Sequence, residues 1–118
     1  MSGPVRETFF SIEVADMARA TAFYCEALGA TVYFATPGWT SLHIAGVRIG
    51  LALNPELAGA RVGLHFAVAD LAVARAAVER AGGRALGPDL EVAPGVWIAQ
   101  VADSEGNSFV LTRAAGVI

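Results

Sequence analysis

Few side chains in this 118-residue sequence could do chemistry, and they stand far apart. The two histidines are His43 and His65. His65 lies between the small residues Gly63 and Ala67. It reads either as a hydrogen-bonding group inside a ligand cavity or as a strand histidine satisfied by a nearby carbonyl or carboxylate. Glu13 follows Ile12 in an apolar run, where an unpaired charge is heavily penalised. It is either a rim carboxylate paired with an arginine such as Arg48, or an anchor for a ligand. Either His65 or Glu13 could act as a general base. Cys25, beside Glu26, has no partner base in its neighbourhood and reads as an inert helix cysteine.

Aromatic rings add binding area. Trp39 follows the turn Pro37-Gly38 and shares strand parity with Ser41 and His43, so it could stack on a flat ligand. Phe10 and Phe34 are expected in the core. The parity of Trp97 is not fixed by the sequence, and Gln100 is expected to point inward.

These residues need elements to position them, and the chain supplies them twice. Val14-Ala15-Asp16-Met17 returns as Val68-Ala69-Asp70-Leu71, and each Asp stands 13 positions before a glycine, Gly29 or Gly83. Before each Asp runs an alternating strand: Phe10, Ile12 and Val14 against Phe9, Ser11 and Glu13, then Leu64, Phe66 and Val68 against Gly63, His65 and Ala67. Each Asp is placed to cap a helix. Met17, Ala20, Tyr24 and Leu28 follow at helical spacing, as do Leu71, Ala74, Val78 and Ala81. Gly29 and Gly82-Gly83 supply left-handed stops.

Short strands fill the rest. Thr31 to Ala35, Thr40 to Ala45 and Arg48 to Leu53 complete the first half; Arg84 to Leu86, Val96 to Ala102 and Asn107 to Thr112 complete the second. The expectation is one α+β domain over residues 1–118. It consists of two β-α-β-β-β modules, about 7–53 and 62–113, joined by a linker at 54–61. Paired side by side, they form a curved, barrel-like sheet with helices outside, and the odd-numbered residues before each Asp line its hollow.

Composition narrows the function. Hydrophobic residues make up 55% and charged residues 16%, with mean hydropathy +0.54, which excludes a disordered chain. No apolar run approaches the roughly 20 residues of a membrane span. Net charge is −3 and all eight basic residues are scattered arginines, which argues against a nucleic-acid partner. Without lysine there is no Schiff-base chemistry and no phosphate-loop lysine. A single cysteine excludes an internal disulfide. No secretion signal is visible at the N-terminus, so a cytoplasmic location is expected.

The run Phe10-x-Ile12-x-Val14-x-Asp16-Met17, then Ala22-Phe23-Tyr24 and Leu28-Gly29, resembles the first module of the vicinal oxygen chelate superfamily. That is the glyoxalase, bleomycin resistance protein and extradiol dioxygenase group. Asp103-Ser104-Glu105-Gly106-Asn107 followed by Phe109-Val110-Leu111 is similar to its closing hairpin. The resemblance spans residues 7–113 and implies paired modules, usually a homodimer, with a pocket in each hollow. Metal-dependent members take His, Gln or Glu ligands at four points. Carried onto this chain, those points are Phe9, Gly63, Val110 and either Gly50 or Ala52. None offers an oxygen, nitrogen or thiolate donor. Glu13, His43, His65 and Gln100 could rebuild a site only with new geometry, because two strand positions move a donor by about 6.6 Å.

The expected function is therefore metal-free binding of a small organic ligand, aromatic or amphipathic, with no cofactor. The expected cavity is lined by Phe9, Ser11, Glu13, Trp39, His43, His65, Gln100 and Val110. A homodimer is expected, with no nucleic-acid or membrane partner. Net negative charge mildly favours a cationic ligand. The alternatives are a glyoxalase-like lyase, isomerase or dioxygenase with an unusual metal site, a metal-free enzyme with a His65 or Glu13 base, and a pseudoenzyme whose dimer surface matters more than its pocket.

Overall fold

Alternation makes the first strand. In β1 (Phe10–Val14), Ile12 and Val14 are buried, Ser11 is exposed and Glu13 is half-buried. The structure is a computed structural model and describes residues 9–114. Chain reversal follows at once, because Asp16 holds an extended backbone and its carboxylate accepts the Arg19 N–H at 3.0 Å. Such a cap contributes about 1 kcal/mol. Helix α1 (Met17–Leu28) buries Ala20, Phe23 and Tyr24 and ends at Gly29, whose φ of +70° is the left-handed stop. The second half repeats the device. Asp70 accepts the Val73 N–H at 3.0 Å and opens α2 (Leu71–Arg80), which buries Leu71 and Val78. Its stop is offset from the expected Gly82-Gly83 pair: Ala81 caps with an ordinary φ, and only Gly82 turns positive.

After α1 come β2 (Thr31–Thr36), β3 (Trp39–Ile44) and β4 (Val47–Leu53). The first sheet has the order β1-β4-β3-β2, parallel between β1 and β4 and antiparallel elsewhere. The second sheet contains β5 (Arg61–Ala67), β6 (Arg84–Ala85), β7 (Leu90–Ala93), β8 (Val96–Ala102) and β9 (Ser108–Ala114). Its order is β5-β9-β8-β6, and β7 also pairs with β8. Strand β7 was not expected from sequence. Gly87-Pro88 splits the strand partner of β8 into two pieces, since proline has no N–H to give the ladder.

The α+β, two-module architecture is present, with one difference in closure. The expected barrel-like sheet exists as two curved mixed sheets that are not closed and share no strand pairing among the described residues. Each helix packs on one face of its own sheet, and the two helices touch each other. The core lies between these layers. Phe109 of β9 meets Phe23 and Tyr24 of α1 at 6.4 and 6.5 Å between ring centres, so aromatic packing joins the halves. The other face of each sheet is left open. No helix among the described residues is long and apolar enough to cross a membrane.

Two core expectations need correction. Phe34 is 56% exposed and Phe10 is 47% exposed. A register shift between Val32 and Phe34 pairs Phe34 with Ser41, which turns it to the open face. Phe10 stands on an edge strand at the seam between the halves. With Leu28, Ile44, Val47, Ile49 and Phe66 it lines an apolar groove of about 610 Å³ there.

Candidate functional site

Register decides which side chains share a face. On the first sheet, Ser11, Gly50 and Ser41 stand in one row, and Glu13, Ala52 and Trp39 in the next. His43 lies level with Arg48. These side chains, with Phe9 just before β1, form the open face of the first sheet. On the second sheet, His65, Val110 and Gln100 form one row, and Ala67, Thr112 and Ile98 the next. The eight residues expected around one hollow are thus placed as five on the first open face and three on the second. Within one chain the two sets lie on separate sheets.

The first face is built of rings. The Trp39 indole lies against the backbone of Gly50, where a Cβ would stand 2.0 Å from Cζ2. Its Nε1 donates to Ser41 Oγ at 2.8 Å, which fixes the ring's orientation. Phe9 meets it edge-on at 6.2 Å, and the Arg48 guanidinium lies 4.5 Å over the Phe9 ring. Tyr33, displaced by the β2 register shift, stacks on His43 at 4.8 Å with an interplanar angle of 18°. Tyr33 reads from sequence as one of the rings that supply aromatic area, but not as a cavity-lining residue, because strict alternation gives no warning of a bulge.

The second face is largely aliphatic. His65, Ala67, Val92, Val96, Ile98 and Thr112 line a cleft of about 470 Å³. His65 Nδ1 stands 3.5 Å from Thr112 Oγ1, at the outer limit of a hydrogen bond. Val92, Val96 and Ile98 were also missed; His65's register with β9 and β8 would have found Ile98 and Thr112. Trp97 pairs with Arg113 and shares parity with the buried Ala99 and Val101, so it points away from the Gln100 face.

The family's metal positions can now be tested for donors. Phe9, Gly63 and Val110 carry none, and of the two alternatives on β4, Ala52 carries none and Gly50 is covered by Trp39. A side chain at 50 would have to displace the indole. Among the described residues, no group of three or more His, Cys, Asp or Glu side chains is placed to hold a metal ion. The residues present do not fit the family's metal.

The closing turn is more than a turn. Asp103 accepts four hydrogen bonds: from the Tyr24 hydroxyl at 2.5 Å, the Glu105 and Asn107 amides at 2.8 and 2.9 Å, and Asn107 Nδ2 at 3.1 Å. Burial and the neighbouring Asp103 carboxylate hold the Tyr24 phenol protonated, far above its ordinary range. Glu105 Oε1 accepts the Ala15 and Asp16 N–H groups, both at 2.9 Å, and its carboxylate takes the Arg19 guanidinium at 2.6 and 3.0 Å. Burial pushes this carboxyl up. The Arg19 guanidinium, the Asp16 amide, the Ser104 hydroxyl and the Ala15 amide pull it down further, so it stands below its ordinary value.

With fold and site in place, comparison with known proteins is informative. The glyoxalase-like domain family matches residues 9–112. This chain belongs to that family. No curated protein matches its sequence. Among solved structures, the fosfomycin resistance protein FosX from Listeria monocytogenes superposes with a TM-score of 0.79 at 18% identity, covering 100% of this chain and 96% of FosX. The hypothetical protein SA1046 from S. aureus gives 0.77 at 20%, covering 95% and 100%. A glyoxalase/bleomycin resistance protein from Catenulispora acidiphila gives 0.70 at 22%, covering 91% and 96%. At these identities the likeness is one of fold. A FosX mutant has also been crystallised with Mn(II) and a dihydroxypropylphosphonic acid.

Proposed function

We propose that this glyoxalase-like chain is a metal-free binding protein that sequesters a small aromatic or amphipathic organic compound. The observation that carries this reading is the occupancy of the family's metal positions. Where metal-dependent relatives hold donors, this chain has Phe9, Gly63 and Val110, and at Gly50 it has the Trp39 ring laid flat on the backbone. That exchange turns a polar centre into an apolar wall. A ring-lined face on the first sheet and an aliphatic cleft on the second suit a flat, hydrophobic ligand with few polar groups.

One face alone leaves a ligand half in water. We propose that a homodimer supplies the opposing wall, setting the first sheet of one copy against the second sheet of another. Exposed Tyr33, Phe34, Leu90 and Val92 support this, being apolar side chains at the outer strands of the two sheets.

The test uses anilinonaphthalene sulfonate as the probe, with Trp39→Phe and Trp97→Phe variants. The dye should raise the melting temperature and quench tryptophan emission. The quench should survive in Trp97→Phe and vanish in Trp39→Phe. Elemental analysis runs beside it. Stoichiometric manganese, zinc, nickel or iron in the purified protein, clasped inside the cleft, overturns the reading.

A further inference from the structure

Among the described residues the two sheets share no strand pairing, so no backbone ladder there sets their relative position. Something else must, because β1 with its flank carries Phe9, Ser11 and Glu13 while β5 carries His65. One side chain reaches from β1 to the residues that lead into β5. Asn107, fully buried, accepts the Gly59 and Ala60 N–H groups at 2.9 and 2.8 Å, just ahead of β5. Its Nδ2 donates to the Glu13 carbonyl at 2.9 Å, inside β1. Two residues earlier, Glu105 holds the Ala15 and Asp16 amides, which continue β1 into the α1 cap.

We propose that the 103–107 turn is the gauge that fixes the relative placement of the two open faces, with Glu105 and Asn107 as positioning residues for the ligand site. The inference rests on the reading of those faces as ligand walls. Asn107 needs a carboxamide, because that group accepts from the residues leading into β5 and donates to β1 through the same planar unit. Glu105 needs its charge, because it gathers a guanidinium and two amides on a side chain shut off from water. Asp103, Glu105 and Asn107 are buried and bonded to one another, whereas the linker, containing Pro55 and Gly59, has no strand of its own. Asp103, within the turn, and Tyr24 and Arg19, from α1, complete the turn's bonding.

The experiment measures face-to-face placement directly. Spin labels are introduced by Thr31→Cys on β2 and Arg84→Cys on β6 in a Cys25→Ala background. Labelled chains are diluted in unlabelled protein, so that only distances within one chain are read. Glu105→Gln keeps the shape of the side chain and removes the charge. It should broaden the distance distribution about twofold and weaken binding of anilinonaphthalene sulfonate about tenfold at a temperature where the fold is intact. Asp70→Ala, which weakens the α2 cap without touching the turn, should leave the distribution at its native width. A Glu105→Gln distribution as narrow as the parent's overturns the proposal, and so does equal broadening in Asp70→Ala. If the dye never binds the parent protein, the ligand reading falls, and the distances still decide whether the turn is the gauge. If Glu105→Gln unfolds, Arg19→Gln replaces it, withdrawing the guanidinium from the exposed side with the same expected broadening.

Discussion

The Trp39 ring and the Gly50 backbone are in direct contact, and the glycine is what permits it: a Cβ at position 50 would fall 2.0 Å from Cζ2 and 2.2 Å from Cη2. Both atoms belong to a flat ring held by its Nε1 bond to Ser41, so the ring cannot yield cheaply. Gly50→Ala should therefore cost about 1–3 kcal/mol and shift tryptophan emission to longer wavelength as the indole is expelled. Gly63, on β5, has nothing within 4 Å of a built Cβ. Gly63→Ala should stay within about 0.5 kcal/mol of the parent. Urea titration followed by fluorescence separates the two. Equal effects would mean that Trp39 does not rest on Gly50.

Acid should loosen the protein through Glu105. Its carboxyl stands lower in the folded chain than the ordinary 4.5, because the Arg19 guanidinium and the amides it accepts outweigh the cost of burial. A depressed folded value means stabilisation that is complete above the unfolded value and is lost as pH falls through the folded one. Urea midpoints measured from about pH 6 down to about pH 3 should fall, and Glu105→Gln should flatten that part of the profile. An unchanged slope in the variant would assign acid sensitivity elsewhere.

Tyr24 donates its hydroxyl to Asp103 inside the core, 79 positions away in sequence. Tyr24→Phe keeps the ring packing against Phe23 and Phe109 and removes one of the four donors to that carboxylate. The expected loss is about 1–3 kcal/mol, since a charged acceptor is left short in a buried site. Chemical denaturation measures it directly. A neutral result would show that the bond contributes nothing net.

The two helix caps should behave differently in combination. Asp70→Ala alone should cost about 1 kcal/mol, as should Asp16→Ala. The Asp16 amide also donates to Glu105, so the α1 cap and the closing turn share a partner. A double-mutant cycle of Asp16→Ala with Glu105→Gln should show coupling above about 0.5 kcal/mol, whereas Asp70→Ala with Glu105→Gln should add within that margin. Additivity in both cycles would separate the turn from the first cap.

Local pattern explains what could be read from the chain alone. Period-two runs before Asp16 and Asp70, each Asp's capping oxygen and the glycine after each helix are one-residue-to-the-next features. They separate Ile12, Val14 and Leu64, buried against the helices, from Ser11 and His65 on the opposite face, although that face is open and not the wall of one closed hollow. What was not legible depends on distant partners. Asp103 and Asn107 read as turn residues, yet their contacts reach 47 to 94 positions along the chain. Tyr33 joined His43 only because a bulge broke the alternation, and β7 is too short and too interrupted to carry a period. Sheet closure was invisible for the same reason: it is a property of how modules meet, and no motif within either one encodes it.

Among the described residues every strand ladder is confined to its own half, and this has an evolutionary corollary. A substitution on the ring-bearing wall leaves hydrogen-bond pairing on the aliphatic wall untouched, and the reverse holds too. Selection can thus retune each wall separately, and a descendant could acquire a new ligand by rewriting one half while inheriting the other unchanged.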